Sequence, residues 1–182
     1  DEEALGRFEE RIRAERLESR VRAVHGSMID MSLPPGSFDV IWAEGSLHIV
    51  GIERGLEALR PFIRPGGVLV MHESAWIESS PPEGIANQWK ARFPEIRTID
   101  DFKDWISGFG YDVTAILPLP RDFWGKYYYR PLEQRIERLE EIYRDDNEAI
   151  AILERERREV ALYERSSRWF GSAYFFALRS EP

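Results

Sequence analysis

Gly36-Ser37-Phe38-Asp39-Val40-Ile41-Trp42-Ala43-Glu44-Gly45 is the stretch that decides the fold. Its centre, Phe38 to Ala43, is a mostly apolar run of strand length, the pattern of a strand buried on both faces of a parallel sheet. The residues before it, Ser32-Leu33-Pro34-Pro35-Gly36-Ser37, form a loop by composition. After it, Gly51 to Ile63 sets Ile52, Leu56, Leu59 and Ile63 on one side of a helix, which Pro65-Gly66-Gly67 stops. Val68-Leu69-Val70-Met71 is the next buried strand. Strand, helix and strand joined by short turns predict an α/β doubly wound sheet.

The flanks extend this pattern. Residues 1–17 read as an amphipathic helix with Leu5, Phe8, Ile12 and Leu17 at helical spacing. Val21 to Val24 reads as a short strand closed by Gly26-Ser27. Pro81-Pro82-Glu83 suits a helix start, because proline is tolerated in a first turn. Thr98 caps a helix running to Phe109, with Asp100 and Asp101 at the positive end of its dipole. Tyr111 to Leu117 is a strand. Arg130 to Arg168 is a long charged helical region, broken near Asp145-Asp146-Asn147, and Ala173 to Leu178 is the last strand. Arg and Glu alternate along 133–168, so that stretch reads as a solvated helix face and not as a nucleic-acid arm.

Composition narrows the function classes. The chain of 182 residues is 43 % hydrophobic and 32 % charged, enough for one packed core and incompatible with global disorder. The net charge of -8 argues against a large basic footprint for nucleic acid. No apolar run reaches the roughly 18 residues of a membrane span. With no cysteine, disulfides, thiolate metal sites and thiol nucleophiles are excluded, and a cytoplasmic setting is expected. His25, His48 and His72 lack ligand spacing, so no metal is expected.

Taken in order, several segments resemble the class I S-adenosylmethionine-dependent methyltransferases, with closest likeness to the ubiquinone/menaquinone-type and "methyltransferase domain 11" enzymes. His25-Gly26-Ser27-Met28 looks like the turn after the family's third strand, and residues 36–45 resemble its fourth-strand motif. Leu59 to Gly67 resembles the helix and turn leading into strand five. The resemblance implies a Rossmann-like sheet, mostly parallel with an antiparallel last strand. It also implies one methyltransferase domain over 1–182 with a helical insert or lid at 121–170. The family's glycine-rich cofactor loop and ribose-binding carboxylate are not in the chain. Asp1-Glu2-Glu3-Ala4-Leu5 looks like the start of the helix just after that carboxylate. A longer N-terminus carrying that loop is therefore expected, with weak or no cofactor binding by residues 1–182 alone.

Ligands in open α/β sheets bind beyond the carboxyl ends of the strands. That rule and the resemblance together select Ser27, Met28, Ala43, Glu44 and Gly45 as cofactor-binding residues for S-adenosylmethionine. Glu44, after a buried strand, is a candidate for catalysis or for a structural carboxylate. His48, one helical turn on, is a candidate proton acceptor or a hydrogen-bonded helix histidine. His72 and Glu73 point to opposite faces if their strand stays extended. Trp42 and Trp105 read as packing residues. Trp76, Trp89, Trp124 and the Tyr127-Tyr128-Tyr129 run lie where the family builds its acceptor lid, with Trp76, Trp124 and Tyr128 selected as substrate-binding; aromatic enclosure suits an apolar or cationic acceptor, and packing between insert and sheet is the alternative. The expected activity is methyl transfer to a small-molecule acceptor, without nucleic acid or a membrane span. A homodimer through the insert is possible by this reading. Two alternatives stand beside it: a non-catalytic methyltransferase-like binding protein, and a nicotinamide-dependent Rossmann oxidoreductase.

Overall fold

A computed structural model describes residues 1–180. Helix α1 (Glu2–Ala14) comes first, capped by the Asp1 side chain, which accepts from the Ala4 N–H. Then follow β1 (Phe38–Glu44), α2 (Leu47–Val50), α3 (Ile52–Leu59), β2 (Ile63–Trp76), α4 (Glu83–Arg92), α5 (Ile99–Gly108) and β3 (Tyr111–Pro118). A π-helical turn (Gly125–Tyr129) leads into α6 (Arg130–Ile142), α7 (Asn147–Ser166) and β4 (Phe170–Arg179). The sheet order is β1-β2-β4-β3, with β1 and β2 parallel and β4 antiparallel to both its neighbours. This is the expected α/β class with its antiparallel last strand. No helix among the described residues is long and apolar enough to cross a membrane.

Strand alternation sets one core. Ala43, Leu69, Met71 and Phe175 point to the side where Leu56 and Leu59 of α3 and Phe102 and Ile106 of α5 close over them. α5 begins as its sequence predicts: the Thr98 hydroxyl accepts from the Asp101 N–H at 3.1 Å. A second cluster joins the helical segment between β3 and β4 to the sheet. Trp89 of α4 lies flat on Phe170 of β4, ring centroids 3.6 Å apart, and its indole N–H donates to the buried Ser166 hydroxyl of α7. The break between α6 and α7 falls where expected, with Asp146 capping α7 through the Glu148 and Ala149 N–H groups.

Three local expectations are corrected. Val21–Val24 forms no strand, because no neighbouring chain among the described residues offers it hydrogen bonds. The helix after Gly51 ends at Leu59. Pro61 tightens the next residues into a single 3-10 turn, and β2 already begins at Ile63. Pro65-Gly66-Gly67 therefore interrupts a strand and not a helix. Gly66 takes φ +70° and the pairing slips between Phe38 and Val40, as a bulge requires. Finally, β1 is buried on one face only. Val40 and Trp42 are more than half exposed, since the helices beside β1 cover the opposite side. Trp42 is thus not a core residue.

Candidate active site

Parallel pairing of β1 with β2 brings two strand ends together. Register places Glu44 beside His72, His72 beside Tyr174 of β4, and Tyr174 beside Leu117 of β3. Cross-strand partners share a face, so a glutamate, a histidine and a tyrosine form one row at the carboxyl ends of β1 and β2. The Tyr174 hydroxyl donates to Glu44 Oε1 at 2.5 Å, and the Trp42 indole N–H donates to Oε2 at 3.1 Å. The His72 ring stacks on Tyr174 with centroids 4.4 Å apart. His72 Nε2 lies 2.9 Å from the Ser172 hydroxyl, which also accepts from the Trp124 indole N–H at 2.9 Å. An indole N–H only donates, so the oxygen of this buried serine accepts from Trp124 and holds His72 Nε2 as its second partner.

His48 does not join this row. Gly45, at φ +55°, turns the chain out of β1 and donates its N–H to the His72 carbonyl, and α2 starts only at Leu47. Glu44 and His48 therefore do not share a helix. His48 Nδ1 instead lies 2.9 Å from Glu73 Oε2, and Glu73 Oε1 accepts from the Leu47 and His48 backbone N–H groups at 3.0 and 3.3 Å. His72 and Glu73 point to opposite faces, as β2's extended backbone dictates.

Charge follows these contacts. The Tyr174 hydroxyl, then the Trp42 indole, hold the Glu44 carboxyl below its ordinary range. The same bond to Glu44, then burial, pushes the Tyr174 phenol up to about 12. Burial lowers His72 against the opposing pull of Glu44, so its imidazole is neutral at pH 7. Burial raises Glu73, and the opposing pull of His48 and the two N–H donors only partly offsets it.

Two cavities flank the row. The first, about 310 Å³, is mostly apolar and is lined by Met28, Met31, Trp42, Ala43 and Ser46 among others. The second, about 240 Å³, is walled by Phe93, Trp124, Tyr128 and Tyr129 and holds Arg92 and Glu159. Rings connect them. Trp42 contacts Tyr174 at 5.9 Å, Tyr174 stacks on His72, and His72 stacks on Trp124 at 6.1 Å.

Among the residues selected from sequence, Met28 and Ala43 line the first cavity, whereas Glu44, the last residue of β1, and Gly45 after it are not in its lining. Ser27 is exposed in a turn, bridged to Asp30, with its hydroxyl near the Ile29 N–H. Trp124 and Tyr128 line the second cavity, whereas Trp76 is buried edge-on against Phe170, outside both. Tyr174, Ser172, Arg92 and Glu159 are the additions. Only Tyr174 carried a signal, a phenol amid the apolar residues of the last strand. Among the described residues no cluster of three or more acidic or histidine side chains could hold a metal.

Residues 1–71 match the family model described as "Methyltransferase domain". No curated protein matches the chain by sequence. Solved structures with the same fold include an S-adenosylmethionine-dependent methyltransferase from Thiobacillus denitrificans in complex with S-adenosyl-L-homocysteine. It is 20 % identical, with TM-score 0.78, over 97 % of this chain and 71 % of that one. A counterpart from Geobacter sulfurreducens, also with S-adenosyl-L-homocysteine, is 23 % identical, with TM-score 0.74, over 92 % and 69 %. The [4+2]-cyclase SpnF is 19 % identical, with TM-score 0.73, over 95 % of this chain. The chain spans 61 % of that cyclase's length. The fold is that of the class I methyltransferases.

Proposed function

We propose that the protein transfers a methyl group from S-adenosylmethionine to a small-molecule acceptor. The observation that carries this reading is the Glu44–His72–Tyr174 row, set between two cavities at the carboxyl ends of parallel strands, where ligands of open α/β sheets bind. The first cavity fits the cofactor's adenine. Its thioethers and apolar walls suit a flat ring, and Ser46 adds a polar edge. When bound, the cofactor supplies an electrophilic methyl group on a positively charged sulfur.

The chain's own residues supply position, polarity and exclusion of water. Glu44, kept ionised by Tyr174 and Trp42, offers negative charge at the end of β1. The neutral imidazole of His72 is available to take a proton from an acidic acceptor group. Ser172 and Trp124 fix its ring orientation. His48 acts through Glu73 by holding α2 against β2, a positioning role. Trp124 and Tyr128 face the acceptor, and the helical segment 121–170 acts as its lid through Trp124, Tyr128, Tyr129 and Glu159.

Calorimetric titration of the full-length protein with S-adenosylhomocysteine tests this reading. Binding is expected, and Met28→Glu should abolish it by placing a carboxylate in the apolar slot. No heat at millimolar ligand, or binding of a nicotinamide dinucleotide in its place, overturns it.

A further inference from the structure

We propose that the second cavity, enclosed by α4, the π-helical turn and α7, binds a cationic nitrogen of the acceptor, an ammonium or trimethylammonium group. The walls are aromatic and set at right angles. Trp124 meets Tyr128 at 87° and Tyr128 meets Tyr129 at 86°, with Phe93 closing another side. Rings set at right angles around one volume can turn π faces toward it, and a ring face attracts a desolvated cation.

A carboxylate completes the box. Glu159 is 7 % exposed, and its Oε1 accepts from the Tyr129 hydroxyl at 3.0 Å. Its Oε2 is buried and is ion-paired with the Arg92 guanidinium. Arg92 is 40 % exposed and reaches in from the solvent side on α4. A bound cation would share or displace it. A cavity of about 240 Å³ holds one compact group and not a whole drug-sized molecule. It also lies beside Trp124, whose indole N–H bonds the same serine that orients His72. A nitrogen held there is one ring away from the row. Assigning the cation to the acceptor rests on the methyl-transfer reading above, whereas the binding of a cation does not.

The test is an NMR titration of the full-length protein with tetramethylammonium and, separately, with neutral 2,2-dimethylpropanol of similar size. Tetramethylammonium should bind about tenfold more tightly than the alcohol, the factor that about 1.4 kcal/mol of cation–π and carboxylate attraction gives. Tyr128→Leu and Glu159→Gln should each weaken the cation and leave the alcohol unchanged. Arg92→Gln should tighten the cation, because it removes a competing positive charge. Tyr128 is 42 % exposed and its hydroxyl bonds no described residue, so its variant stays informative if Glu159→Gln does not fold. Equal binding of both probes, no binding of either, or a cation affinity untouched by Tyr128→Leu overturns the proposal. S-Adenosylhomocysteine is titrated into the same samples. Cation binding without it leaves the box standing and removes the acceptor assignment. Nucleoside binding without cation binding removes only the box.

Discussion

Replacing Glu73 by alanine should cost about 3 kcal/mol of folding free energy, since two backbone N–H groups then lose their acceptor at about 1–3 kcal/mol each. The Leu47 side chain is fully buried beside that acceptor, so water cannot readily substitute. Relief of a desolvated carboxylate offsets part of the cost, and the cavity left by the side chain restores part of it. Glu73→Gln keeps an amide oxygen in the same place and loses only the charge, so its cost should be nearer 1 kcal/mol. At this chain length about 3 kcal/mol corresponds to a fall of roughly 10 °C in Tm. Urea unfolding followed by circular dichroism, with m unchanged, is the assay. Should Glu73→Ala cost under about 1 kcal/mol, or no more than Glu73→Gln, then Glu73 does not hold the start of α2. His48 would then have no positioning role through Glu73.

Three further outcomes follow from local geometry. Gly67→Ala should destabilise by about 2 kcal/mol or more by the same assay. A Cβ there would stand 2.9 Å from the Asp39 carbonyl oxygen and 2.7 Å from an Ile63 methyl, forcing β1 away from β2. Ser166→Ala should cost about 1–3 kcal/mol by leaving the buried Trp89 indole N–H without an acceptor. Tyr174 should titrate near 12 by phenolate absorbance, and Glu44→Gln should bring it down toward its ordinary value. The unfolded phenol ionises near 10, so between about 10 and 12 the unfolded state loses protons first and stability declines as pH rises.

Much of the fold is legible in the sequence because its signals are local. The apolar runs of β1 and β2, the Thr98 cap of α5 and the break at Asp146 all act within a few residues of themselves. What is hidden depends on pairing at long range. Tyr174 meets Glu44 across 130 residues, and nothing near either one announces the other. His48 looks like a partner for Glu44 by helical spacing, until Gly45 breaks the chain direction and Glu73 takes its imidazole. Trp42 reads as core from its apolar neighbours, yet the helices lie on the other face of its strand, and its indole serves Glu44. Glu159 looks like one more charge on a solvated helix. Only the packing of α7 against α4 and the π turn buries it.

The chain has three methionines, and that makes the central claim directly measurable. Met28 and Met31 line the first cavity, while Met71 lies in the core. With the full-length protein carbon-13 labelled at the methionine methyls, and these three resonances assigned by single substitutions, titration with S-adenosylhomocysteine should shift Met28 and Met31 through the adenine ring current and move Met71 least. Resonances that stay in place at saturating ligand, or a shift confined to Met71, would contradict a cofactor seated beyond the carboxyl end of β1.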